Sequence, residues 1–236
     1  MGATTVVLVH GAFADSSSWN EVIARLDEDA VAVIAVANPL RSVIGDADYV
    51  REVLDGVSGQ VLLVGHAYGG MVITQAGLHD RVAGLVYVSA FAPDHGENAF
   101  ELLAKFPGSA LAEHTSRYPI TGGAEIVVRR EAFVEHFAAD VPRPLAAAMS
   151  VTQRPITEQA LDDRLNGSAP AWQSRPSWFV YGDEDRAIPF AALTFMAERA
   201  HPVLRRVLWG GSQAVPVSQP DAVADVILAA VSAIQG

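Results

Sequence analysis

The chain has 236 residues, half of them hydrophobic and 18% charged, a composition that suits one large globular α/β domain with a substantial core and excludes a disordered polymer. Its formal net charge of −11 argues against nucleic acid or an anionic membrane as a partner, because both require a basic surface. There is no cysteine, which excludes disulfides and thiol chemistry.

Met1 to Thr5 carries no basic segment ahead of a long apolar stretch, and the longest apolar run, Ala30 to Ala37, is far shorter than a membrane span. A soluble cytoplasmic protein is therefore expected. Thr5 to Val9 is a β-branched run ending in His10-Gly11, which predicts a short buried strand. Ser16, Ser17 and Ser18 offer N-caps for a helix over Trp19 to Leu26, where Val22, Ile23 and Leu26 fall at helical spacing. Val31 to Val36 predicts a second strand, closed by Asn38-Pro39, and Asp46 reads as the cap of a helix running to Leu54. Val61 to Val64 predicts a third strand, leading into Gly65-His66-Ala67-Tyr68-Gly69-Gly70 and a helix to about Leu78.

Val82 to Val88 predicts the fourth strand, followed by Ser89-Ala90-Phe91-Ala92-Pro93. From 94 to 175 the pattern changes. Short helical stretches are broken by Pro107, Pro119, Pro142, Pro144 and Pro155, and no strand of the earlier kind stands out. This segment reads as a helical cap inserted between two parts of one α/β core, 1–93 and 176–236. Trp178 to Tyr181 and Leu204 to Leu208 predict a fifth and a sixth strand, with helices over Phe190 to Ala200 and from Pro220 to about Ile234. Alternating strands and helices imply a mostly parallel sheet of about six strands with helices on both faces.

In open parallel sheets, ligands bind beyond the carboxyl ends of the strands. The segments there are His10-Gly11-Ala12-Phe13, His66-Ala67-Tyr68, Ala90-Phe91-Ala92, Asp183 to Arg186 and Gly211-Ser212-Gln213-Ala214. Gly65-x-Ala67-x-Gly69 has the spacing of a nucleophile elbow, a strained strand-to-helix turn that presents one side chain. Together with His-Gly-Ala and the downstream Trp19, with Gly-Asp-Glu-Asp-Arg-Ala-Ile-Pro, and with Gly-Gly-Ser-Gln-Ala-Val followed by Ser218-Gln219-Pro220, the pattern resembles the α/β-hydrolase superfamily, in particular its small esterase and hydroxynitrile-lyase-like branch. The resemblance implies an α/β-hydrolase fold with a nucleophile at position 67, an acid at Asp185 and a base at position 213.

Two of those three positions depart from the family pattern, which has serine and histidine where this chain has Ala67 and Gln213. A methyl group has no lone pair, and an amide is not basic near neutral pH. Losing nucleophile or base costs a Ser-His-Asp enzyme roughly 10⁶-fold in turnover, so hydrolysis through an acyl-enzyme is not expected. Either change alone would silence the triad, so the pair speaks for joint loss and against a single engineered serine-to-alanine change. The resemblance also implies an oxyanion hole made by the backbone N–H groups of Ala12 and Tyr68, with His10, Gly11, Phe13, His66 and Phe91 around the substrate. Those donors do not depend on a serine hydroxyl, and one such donor is worth about 3 kcal/mol in a working enzyme.

The expectation is a cofactor-free, non-hydrolytic lyase, isomerase or cyclase, by family analogy one of secondary metabolism, acting on an apolar carbonyl-containing small molecule. The alternatives are an esterase inactivated by substitution and a non-catalytic binding protein. The residues His95, His114 and His136 read as loop or surface side chains. No H-E-x-x-H, no G-x-G-x-x-G after the first strand and no G-x-x-x-x-G-K-[ST] occurs, so metal, dinucleotide and nucleotide cofactors are not expected. A homodimer is left open.

Overall fold

A computed structural model describes residues 4–165, 167 and 169–236. Six parallel strands form the central sheet in the order β2-β1-β3-β4-β8-β9: β1 (Thr5–Val9), β2 (Ala32–Val36), β3 (Val61–His66), β4 (Val82–Val88), β8 (Ser177–Gly182) and β9 (Leu204–Leu208). Each predicted strand is present, and β1 pairs with β3 in unbroken register from Thr5 opposite Val61 to Val9 opposite Gly65. Side chains alternate across the sheet, so each strand feeds two cores. Val7, Val9, Leu63, Tyr87 and Phe179 pack against α2 (Val43–Asp55), α3 (Gly69–Ala76) and α8 (Phe190–Arg199). Val6, Leu8, Leu62, Val64, Val86 and Trp178 pack against α1 (Asn20–Glu28) and α9 (Pro220–Gln235). This burial on both faces explains why the strands read as unbroken apolar runs.

Two helix starts differ from expectation. Asp15, not Ser16 to Ser18, caps the first helical turn by accepting from the Ser17 N–H at 2.7 Å. Ser42 caps α2 by accepting from the Gly45 N–H, and this frees Asp46 for another role inside the first turn.

The segment between β4 and β8 contains short helices where they were expected, α4 (Ala99–Ala104), α5 (Arg130–His136) and α6 (Arg143–Thr152), and a further one, α7 (Glu158–Asp162). It also holds a three-stranded antiparallel sheet, β5 (Thr115–Ile120), β6 (Gly123–Val128) and β7 (Ile156–Thr157), where no strand was expected. Polar bonds moor this segment to the core. The Phe13 N–H donates to Arg154 O at 3.0 Å, the Thr157 hydroxyl to Arg41 O at 2.6 Å, and the Val43 N–H to Asp163 Oδ2 at 2.9 Å. Arg41 adds an ion pair to Glu125 of β6. Among the described residues, no helix is long and apolar enough to cross a membrane.

Candidate functional site

The site is built at the carboxyl end of β3. Ala67 follows the strand with φ 51°, a left-handed conformation that costs a non-glycine residue about 1–2 kcal/mol. The surroundings hold it there. The Ala67 N–H donates to Val88 O at 3.3 Å, and the Ala67 carbonyl accepts from the Gly70 and Phe91 N–H groups, both at 3.1 Å. The glycines of the turn are dictated by close backbone approach. A Cβ on Gly69 would stand 2.3 Å from Val9 O, and one on Gly70 would stand 2.0 Å from Phe91 O. The elbow is therefore fully formed, and it presents a methyl group.

Gly11 presses on the same turn from β1, since a Cβ there would meet Ala67 Cβ at 2.5 Å and Tyr68 N at 3.0 Å. Neither the Ala12 nor the Tyr68 N–H donates to an acceptor among the described residues, although both residues are at least nineteen-twentieths buried (5% and 1% exposed). Buried backbone donors are normally paired, so two unpaired ones side by side make an acceptor site. Both residues line a cavity of about 480 Å³. Its wall is largely apolar, with Phe91 and Phe137 near the elbow and Phe100, Leu103, Ile126 and Leu161 contributed by the segment between β4 and β8. The sequence did not single out these last four, because an apolar residue on a short helix or strand looks the same whether it faces a core or a cavity.

Of the expected substrate-contacting residues, Phe13 and Phe91 line the cavity, whereas His10, Gly11 and His66 stand behind it. The His10 Nδ1–H donates to Gly11 O at 2.9 Å, and burial lowers the pKa of the ring. The His66 Nε2–H donates to Gln213 O at 2.8 Å, and complete burial brings its pKa down to about 4. Both imidazoles are thus neutral supports near pH 7. The Tyr68 ring forms wall, while its hydroxyl is turned to Asp46 Oδ2 at 2.8 Å. Burial, reinforced by that carboxylate, raises the Tyr68 pKa well above its ordinary value, so the hydroxyl keeps its proton.

Gln213 lies in the wall, its Nε2 donating to Ser89 O at 2.8 Å. Asp185 lies behind the wall, 6% exposed, and its Oδ1 accepts from the Ala187 and Ile188 N–H groups at 2.8 and 2.9 Å. The polar lining is completed by Ser109, Thr115 and Glu158. Ser109 donates its hydroxyl to Ala187 O, and Glu158 is held by a two-pronged ion pair with Arg117. Next in the chain to the lining residues Thr115 and Phe137, His114 and His136 stack at 4.0 Å. Among the described lining residues, none combines a free nucleophile with a base. What the wall offers is a pair of N–H donors in an apolar chamber.

Comparison with known proteins places these features in context. The model of the alpha/beta hydrolase family matches residues 6–226. A carbendazim hydrolyzing esterase from Nocardioides sp. (strain SG-4G) is 35% identical over 118 residues, covering 42% of this chain and 47% of that protein, so the match spans about half the length of this curated relative. The crystal structure of polyneuridine aldehyde esterase superposes with a TM-score of 0.83 at 18% identity, over 97% of this chain and 99% of that one. Tomato methylketone synthase I, solved with 2-tridecanone, gives a TM-score of 0.81 at 18% identity, over 99% and 100% of the two chains. A variant of that enzyme was solved with β-ketoheptanoate. At these identities the structural likeness speaks for the fold.

Proposed function

The chain belongs to the alpha/beta hydrolase family, and from that premise we propose that it is a cofactor-free lyase which uses the Ala12 and Tyr68 N–H groups to stabilise an enolate formed from an apolar carbonyl compound. In this reading residues 94–175 serve as a cap over the substrate. The observation that carries the reading is the donor pair beside Ala67 that meets no acceptor among the described residues, in a lining whose described carboxylate, Glu158, is engaged by Arg117. An oxyanion hole alone accelerates only reactions in which negative charge reaches a carbonyl oxygen without the protein first removing a proton.

Decarboxylation of a β-keto acid meets that condition. The bond between Cα and the carboxylate breaks, its electron pair moves onto the ketone as an enolate, carbon dioxide leaves, and water later protonates the carbon. Retro-aldol cleavage, isomerisation and most cyclisations require a base, and the carboxylate among the described lining residues, Glu158, is tied to Arg117. The two ligands solved in tomato methylketone synthase I, a β-keto acid and a long-chain ketone, are compatible with an apolar cavity of about 480 Å³.

The test is to incubate the purified protein with β-keto acids of graded chain length and to follow carbon dioxide release and ketone formation above the spontaneous rate. The expected result is saturable acceleration that strengthens with chain length. Ligand bound and recovered unchanged supports a receptor instead, and alcohol release from esters supports a hydrolase.

A further inference from the structure

Asp185 Oδ2 and Gln213 Oε1 are buried oxygen atoms with no hydrogen-bond partner among the described residues, and so is Oδ2 of the nearby Asp140. The first two belong to neighbouring segments. β8 and β9 pair from Trp178 opposite Leu204 to Gly182 opposite Leu208, and beyond them the Glu184 N–H donates to Gly211 O at 3.0 Å. Ala187, Ile188 and Gln213 meet at the same cavity. Leaving two such atoms unpaired is costly, so a shared proton is the simple way to satisfy both.

The orientation of the Gln213 amide is fixed by its neighbours. Its nitrogen lies 2.8 Å from Ser89 O, which can only accept, so the nitrogen and not the oxygen must face that carbonyl. The His66 Nε2 lies 3.1 Å from the same nitrogen but is already the donor to Gln213 O at 2.8 Å, so it makes no second claim on the amide. Oε1 therefore needs a donor from elsewhere. A carboxylate offers none, whereas a carboxylic acid offers one.

We propose that Asp185 is protonated in the resting protein and donates its Oδ2–H to Gln213 Oε1, so that the triad remnant is a neutral acid–amide pair. The inference concerns the resting protein and stands apart from the reaction proposed above. The surroundings agree with it. Burial, with the nearby Asp140 adding to it, pushes the Asp185 pKa up to about 8 against the pull of the Ala187 and Ile188 N–H groups. Asp140 is itself bonded by the Ser212 hydroxyl. The adjacent Arg186 is drawn away to Glu135, and His66 is neutral, so the described charged groups supply no cation to hold Asp185 ionised.

The experiment is infrared difference spectroscopy of the full chain, between about pH 6 and about pH 9, with ¹³C-labelled aspartate and the variants D185N and Q213H. A protonated-carboxyl band should be present at the lower pH, fade near the upper one, and be missing from D185N. In Q213H an imidazole N–H replaces the amide oxygen, so Asp185 should ionise and the band should be lost. A wild-type spectrum with no such band, or a band that Q213H leaves unchanged, overturns the proposal. Comparing the two pH values of the unsubstituted protein keeps the test valid even if D185N does not fold.

Discussion

A single atom separates the two main roles of Tyr68, and substitution can resolve them. Its backbone N–H faces the proposed oxyanion site, while its hydroxyl serves Asp46, which also accepts from the Arg41 N–H at 3.1 Å. Burial raises the Asp46 pKa despite those bonds. A raised carboxyl pKa means that stability is complete in acid and is lost as pH climbs through the folded value. Tyr68→Phe removes one donor to the ionised form, so its destabilisation should be small near pH 4 and grow to about 1–3 kcal/mol by pH 8, as read from denaturant curves at both values. Ligand affinity should change little, because the N–H stays; a hundredfold loss of activity with an unchanged fold would instead make the hydroxyl a proton donor. Gly11→Ala should act in the opposite way. A Cβ 2.6 Å from His66 O must push the elbow aside, costing about 1–3 kcal/mol and weakening ketone binding in calorimetry.

Between elements, Glu97 joins three partners. It accepts from Arg199 of α8 and from Lys105 at the end of α4, both at 2.5 Å, and from the Asp94 N–H at 2.9 Å. Burial alone would raise its pKa, but these bonds bring it down to about 2. The sign is opposite to that of Asp46: the stabilisation is present above the ordinary carboxylate range and is lost as pH falls toward 2. Glu97→Gln should therefore cost about 2 kcal/mol near neutrality and much less at pH 3, measured as a pH series of unfolding midpoints. Neither this tie nor the Asp46 bond to Tyr68 was legible in the sequence, since both join residues whose spacing carries no pattern. Asp46 instead looked like a cap, a role that Ser42 fills four residues earlier. The parallel strands were legible because burial on both faces writes them as apolar runs. The strand Thr115–Ile120 was not, because most of it is exposed and it carries Pro119, which an edge strand tolerates. The elbow was legible because a Cβ on Gly65, Gly69 or Gly70 would stand only 2.0–2.6 Å from backbone oxygens, which leaves glycine no substitute.

At the scale of the molecule, the proposed reading sets Ala67 and Gln213 in the frame of an alpha/beta hydrolase. The left-handed φ of Ala67, the Ala12 and Tyr68 N–H groups that meet no acceptor among the described residues, and the buried carboxyl of Asp185 make up that frame. If the frame is sufficient, Ala67→Ser with Gln213→His should return ester hydrolysis. Residues of a triad act as a unit, so each single variant should stay near background. The double variant should exceed either by at least about 10²-fold, with a burst of p-nitrophenol equal to the enzyme concentration. A folded double variant with neither burst nor turnover would show that the fold has drifted beyond those two side chains. The same variant also bears on the proposed lyase reaction. That chemistry draws on backbone donors, which neither substitution removes, so β-keto acid decarboxylation should survive beside the new esterase activity. Loss of the one on gain of the other would mean that the neutral wall, and not only the donor pair, is what the reaction requires.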